Sequence, residues 1–240
     1  MSDNLLKLLK GELKRLMKYN ILQISFAVAL LWIAVIFLIG REQATTFVPL
    51  FIFMDAALMT VLYVGANLFY EKQENTLKTL LITPSGYVAV LASKIIAAVY
   101  LALQSSVIIS LAAFFLFDVQ LDFLALYSAV VLIAFAHAAL GFSFAIVSRD
   151  FNGLIAAVGL YMIFLAFPSI FFAFGLIPER FEAVMLLSPT HASMMLIDAS
   201  FGKTVALWTV LVSTAYLAAL AAGLLLFFIG PKYRENAVRE

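Results

Sequence analysis

The chain of 240 residues contains no cysteine, only two histidines and two tryptophans, and unusually little charge, with Asp, Glu, Lys and Arg making up 12%. The missing thiols exclude disulfides and thiolate metal sites, and they leave the redox compartment unspecified. Two histidines, His137 and His191, with no second histidine or acid cluster at ligand spacing, give no basis for a metal centre. Soluble globules carry roughly 25% charged residues, so half that share excludes an ordinary water-facing surface. A net charge of +1 gives no reason to expect nucleic acid as a partner. What fills the space is apolar: 65% of residues are hydrophobic and the mean hydropathy is +1.09. An all-α integral membrane protein follows, built as a single unit over residues 1–240.

Six runs are long enough to cross a ~30 Å hydrocarbon layer. They read as residues 21–39, 47–70, 92–117, 123–147, 153–176 and 205–229. Residues 2–19 precede them as an amphipathic interfacial helix. Leu5, Leu8, Leu9, Leu13, Leu16 and Met17 lie on one side, and Lys7, Lys10, Lys14, Arg15 and Lys18 around the rest. This polar start is too long for the n-region of a cleavable signal, and no small-residue cleavage pattern follows the first apolar run. Between the first two spans, Gly40 to Thr46 reads as a short turn; Asp118 and Asp122 bracket a tight hairpin, and Ser148 to Asn152 form another turn. Residues 177–204 mix Pro178, Glu179, Arg180, Pro189, His191 and Asp198 with short apolar pieces, as expected of short re-entrant or interfacial helices.

Basic residues set the expected orientation. With the N-terminus in the cytoplasm, twelve Lys and Arg fall inside and three, Arg41, Arg180 and Lys203, outside. Both termini and the polar stretch Glu71 to Pro84, EKQENTLKTLLITP, then face the cytoplasm of a multi-pass protein in the cell membrane. That stretch is more than a loop: Leu77, Leu80 and Leu81 form a narrow helical stripe, Glu74 and Lys78 a favourable i, i+4 pair, and Pro84 a stop before Ser85-Gly86. It reads as a surface helix offered to a partner.

The same residues carry a family resemblance. Glu71, Lys72, Thr76-Leu77, Leu80-Leu81 and Thr83-Pro84 resemble the E-R-E-x-G-T-L-x-x-L-L-x-T-P signature between the second and third spans of ABC-2 type transporter permeases. Gln73 replaces the second acid and Asn75 the glycine. Residues Pro178 to Gly202, including Pro189, Thr190 and His191, are similar to the P…NP-x-T-H region between the fifth and sixth spans of that family, and there is a broader likeness to permeases for fluoroquinolone export. The resemblance implies an ABC exporter subunit that dimerises with a second permease copy or paralogue. Residues 71–86 would be its cytoplasmic coupling helix, seated in a separate ABC ATPase subunit that binds ATP and Mg. This chain itself binds no cofactor and is no enzyme: its one phosphate-loop fragment, Gly202-Lys203-Thr204, has Ile197 where the first glycine is required. Two other readings stand beside the exporter: an ion-coupled secondary transporter using Asp55, and a membrane anchor that recruits a partner without transporting.

Polar groups within the spans complete the candidates. Asp55 and His137 fall near mid-depth, where ionisable residues are costly. If they face each other they neutralise one another, and either then stands ready for a polar or cationic substrate; the alternative for both is structural bonding between helices. Asn67, Gln104, Ser105 and Ser106 read as interhelical hydrogen-bonding residues. Tyr161, Phe164, Phe167 and Phe171 belong to an aromatic-rich half of the fifth span, kinked at Pro168, which the resemblance places near the translocation path of an amphiphilic drug, lipid or peptide and which composition alone assigns to packing or lipid.

Overall fold

The computed structural model describes residues 2–73 and 86–232. Among them six helices are long and apolar enough to cross a membrane: Ile21–Ile39, Arg41–Glu71, Tyr87–Phe117, Phe123–Val147, Phe151–Ala173 and Leu207–Lys232. The preceding helix, Ser2–Lys18, is joined to the first span at Asn20, whose positive φ of 58° suits a residue type that tolerates the left-handed conformation. We call the end of the bundle carrying this helix the near end and the opposite one the far end.

Several boundaries move from their sequence positions, each for a local reason. The expected turn from Gly40 to Thr46 shrinks to Gly40 alone, at φ 92°, because the polar run after it contains no helix breaker and Arg41 is anchored across the far end. The Arg41 guanidinium donates to the Phe117 carbonyl at 3.2 Å and pairs with Asp118. The second span therefore extends over 31 residues. The third helix includes Gly86, ahead of the expected Ala92, and so takes Lys94 inside it. The fifth span ends at Ala173, short of Leu176, where Gly175 turns the chain at φ 71°. The sixth does not stop at Gly230-Pro231 but continues to Lys232; a π-helical turn, Leu224–Ile229, widens the coil just where the Pro231 ring needs room. Asp122 and Asp150 cap the fourth and fifth spans by accepting from the Ala125 and Gly153 amides at 3.0 and 2.6 Å.

Two further π-helical turns interrupt the second span at Met54–Met59 and the fifth at Met162–Ala166. The latter lies immediately before Pro168, whose ring would collide with the carbonyl of Phe164 in a regular helix. The kink expected at Pro168 thus takes the form of a local widening.

At the centre the second and fourth spans touch backbone to backbone. A Cβ on Gly141 would lie 2.7 Å from the Val61 carbonyl oxygen and 3.2 Å from the Gly65 nitrogen. In lipid there is little hydrophobic drive between helices, so this close approach is how the pair gains contact. Phe53, Ile133, Phe142 and Leu154 are buried around it, while the first and sixth spans lie at the periphery. Between the last two spans, a short 3-10 turn Glu179–Phe181 and helix Glu182–Met185 lead into Pro189–Ser200. At twelve residues, or about 18 Å, this last helix is too short to span, yet most of it is buried. The Asp122 amide donates to the Ser200 carbonyl at 2.8 Å, tying it to the far-end hairpin.

Candidate functional site

Four charged side chains meet at the near end, around Glu71. Lys94 is buried, with its side chain 2% exposed, and its Nζ donates to Glu12 Oε1 at 2.8 Å and to Glu71 Oε1 at 2.5 Å. Arg15 pairs with the same Glu71 oxygen, donates to the Asn67 side-chain carbonyl, and lies 3.3 Å from Glu12. Asn67 in turn donates to the Tyr63 hydroxyl at 3.3 Å. Two acids and two bases sum to zero, so the group is tolerated where any one of them alone would not be. Burial by itself would lower the Arg15 pKa; Glu71 and Glu12 outweigh it and raise the guanidinium above its ordinary value. Leu16 closes the cluster from one side, buried against Ala97 and Leu101.

Helix geometry brings these residues together. Glu12, Arg15 and Leu16 share one face of the N-terminal helix at i, i+3 and i+4, Asn67 and Glu71 are one turn apart on the second span, and Lys94 lies two turns into the third. Arg15 therefore does not face the headgroups with the other bases, and Met17, expected on the apolar side, is exposed. The cluster locks three elements at the two points where residues 74–85 leave and rejoin the described structure. Of the segment itself, Glu74, Thr76, Leu77, Leu80, Leu81, Thr83 and Pro84 lie outside the described residues, as does the side chain of Lys72.

Asp55 and His137 do not pair. Asp55, buried in the π-helical turn of the second span, accepts from the Trp32 indole at 3.2 Å, and Trp32 stacks on Phe51 at 4.4 Å. Position 55 is fourteen residues from Arg41 and sixteen from Glu71, about 21 and 24 Å along the helix, which keeps it at mid-depth. His137 uses both ring nitrogens elsewhere. Its Nδ1 lies 2.9 Å from the Ile133 carbonyl, which can only accept, so Nδ1 carries the proton and Nε2 accepts from the Tyr161 hydroxyl at 2.9 Å. No nitrogen is left for a ligand. Tyr161 is buried with it, whereas Phe164, Phe167 and Phe171 point outward, Phe164 being 68% exposed. Of the four polar residues expected to bond between spans, Asn67 meets the N-terminal helix, Ser105 on the third span reaches Asp55 on the second while also lying 3.2 Å from its own Ala102 carbonyl, and Gln104 Oε1 and Ser106 Oγ have no bonded partner among the described residues.

At the far end the Pro189 stretch is an anchor. The Thr190 hydroxyl lies 2.8 Å from Ser169 Oγ and 2.7 Å from Ser188 Oγ and donates to the Leu165 carbonyl at 2.7 Å, which holds Pro189–Ser200 onto the widened turn of the fifth span. His191 is buried beside Phe172, edge to face at 4.9 Å, with neither nitrogen hydrogen-bonded among the described residues, and burial pushes its pKa down to about 4. Asp198, buried, is pushed upward by desolvation, against which Lys203 at 2.7 Å pulls. Pro178 is exposed at the start of the 3-10 turn.

No family model matches the chain. Two curated proteins do, the "Fluoroquinolones export permease protein" of Mycobacterium tuberculosis strains CDC 1551 / Oshkosh and ATCC 25618 / H37Rv. Each is 28% identical over 221 residues, covering 90% of this chain and 89% of the relative. Over nearly all its length, the chain is similar to export permeases. With nine-tenths of both chains covered, the likeness is to a whole permease rather than to one segment of it.

Sequence reasoning missed the ionic cluster, although a signal was present. Glu12 falls on the apolar face, one turn from Leu8 and one from Leu16, and an acid in an apolar stripe calls for a buried base.

Proposed function

We propose that this chain is the membrane permease of an ATP-driven exporter of the ABC-2 type. Two permease subunits would line the path, and separate ABC ATPase subunits, which bind ATP and Mg, would dock on the segment from Glu71 to Pro84. The observation that carries the reading is the 28% identity to export permeases over nine-tenths of both chains. The near-end ionic cluster supports it, because a segment that receives force from a partner needs a stiff base, and Glu12, Arg15, Glu71 and Lys94 supply one. The basic N-terminal helix lies beside that base, consistent with a cytoplasmic near end and with anionic lipid around it. Closure of the ATPases on ATP would move this base and, through the second and third spans, shift the pair of permeases between inward- and outward-open states. An amphiphilic drug, of the kind named for the relatives, is the cargo class we favour. The test is to co-purify the chain with a candidate ATPase subunit and measure ATP hydrolysis, using Leu80→Asp as the docking variant. Loss of ATPase association in Leu80→Asp is expected; association unchanged by it overturns the docking role.

A further inference from the structure

The first three spans enclose a cavity of about 310 Å³, within the range of small-molecule sites, and Asp55 opens into it. Its walls are Val28, Leu62, Ala98 and Leu101 and other apolar groups, with Ser25, Thr60 and Ser105 adding a few hydroxyls. Among the described residues no Lys, Arg or His pairs with the Asp55 carboxylate, whose partners are the neutral Trp32 indole and Ser105 hydroxyl. This contrasts with the near-end cluster, where every acid is matched by a base. The residue also sits in a π-helical turn, a distortion that re-aims side chains and recurs at functional sites. The cavity is accessible from the side: of its lining residues, Ile24 of the first span and Met59 of the second are 59% and 42% exposed. At its near end it meets a second hollow of about 400 Å³ at Ile21 and Tyr63, which reaches the depth of Tyr19 and Tyr70. By contrast, a larger cavity, about 650 Å³ between the third, fourth and sixth spans, has Tyr87 and Ser128 as its polar lining and no charged side chain among the described residues to select a ligand.

We infer that the cavity between the first three spans binds an apolar molecule bearing one protonated amine, with Asp55 as its counter-ion. The amine replaces the base that the protein itself does not provide, and the apolar remainder fills the Val28, Leu62 and Leu101 walls. Molecules of this class concentrate at the headgroup level of a bilayer, where the second hollow begins. The inference rests on the export reading only for what the binding is for; the binding itself belongs to the permease alone.

The test titrates the permease in nanodiscs, in a Trp208→Phe background, with 4-phenylbutylamine and with its neutral counterpart 4-phenylbutanol, following Trp32 emission and subtracting empty nanodiscs. Saturable binding of the amine, at least tenfold weaker for the alcohol and at least tenfold weaker in the isosteric Asp55→Asn, is the expected result. Equal affinity for amine and alcohol, which marks a mere lipid-tail crevice, overturns the inference, as does amine affinity that survives Asp55→Asn. Should that variant fail to fold, Val28→Phe, which fills the half-buried wall, carries the same test: unchanged amine binding there refutes the site. An ATPase that fails to associate would sink the export reading and leave this result standing. A working exporter whose permease ignores the amine would do the reverse.

Discussion

Replacing Lys94 by Met is the sharpest probe of the near-end cluster. The ammonium makes two charged hydrogen bonds, to Glu12 at 2.8 Å and Glu71 at 2.5 Å, from a side chain with almost no contact with solvent. Methionine matches the stem in length and removes the charge, so two carboxylates are left facing one another with Arg15 as their sole cation among the described residues. Stripping one partner from a buried ionic group costs about 3–5 kcal/mol. The competing force holding the N-terminal helix in place is burial of Leu16, worth roughly 1.5–3 kcal/mol. The ionic loss is thus at least as large as the apolar anchor, and the helix should detach locally while the spans stay assembled. At ~1.4 kcal/mol per tenfold, the open population should rise by about a hundredfold or more. The chain's lack of cysteine makes the assay direct: Ala97→Cys, buried against Leu16, becomes the only thiol, and its maleimide labelling rate in nanodiscs reports detachment. Labelling should be slow in the parent, fast with Lys94→Met, and intermediate with Arg15→Met, whose side chain is already 30% exposed. Adding Glu12→Gln alone to Lys94→Met should restore slow labelling, since the remaining acid, Glu71, keeps Arg15 as its base and the cluster again sums to zero. A labelling rate indifferent to Lys94→Met would refute the claim that this charge network fixes the helix.

Other consequences can be checked separately. Gly141→Ala pushes a Cβ to within 2.7 Å of the Val61 carbonyl and should lower thermal stability by about 1–3 kcal/mol. Gly65→Ala, whose nearest neighbour is the flexible end of Leu154 at 3.2 Å, should cost clearly less, and equal melting shifts would contradict the backbone contact. Tyr161→Phe removes the hydroxyl that bonds His137 Nε2 and should destabilise by about 1–3 kcal/mol in a thermal melt, as an unsatisfied buried acceptor does. Buried His191 has a pKa of about 4, below its ordinary 6.5, so the unfolded chain binds the extra proton. The stability it confers is present above pH 6.5 and is lost as the pH falls toward 4. His191→Phe should flatten that part of the melting-temperature profile, and a profile unchanged by the substitution would rule out the assignment.

The spans were legible because hydropathy over twenty residues is a sum, insensitive to any one position. Their ends were not, since each depends on a particular contact: Arg41 reaching Phe117 and Asp118, or the π-helical turn that lets the sixth helix pass Pro231. Asp55 was recognisable as costly at mid-depth, but its partner was not, because Trp32 looks in sequence like one more apolar residue of the first span. The same limit separated His137 from Asp55. Its real partner, Tyr161, is 24 residues away, on a helix whose rotation no local pattern reveals. Nothing in its own stretch marks Lys94 as buried, because a lysine near a helix end ordinarily reaches for water. It turns inward here because Glu12 and Glu71 are waiting on two other helices, which no single stretch of sequence displays.

The meeting of Gly141 with the Val61 carbonyl also governs how such a chain can drift. Where two side chains touch, a loss of volume on one helix is repaired by a gain on the other. A carbonyl is common to every residue, so no substitution on the second span makes room for a larger neighbour at position 141. Change there requires the two rods to part along their length, whereas outward positions such as Phe164 or Leu226 face no such backbone within the chain and are freer to vary. Sequence change in this protein is therefore channelled to its rim, around a crossing that a single added methyl group would prise open.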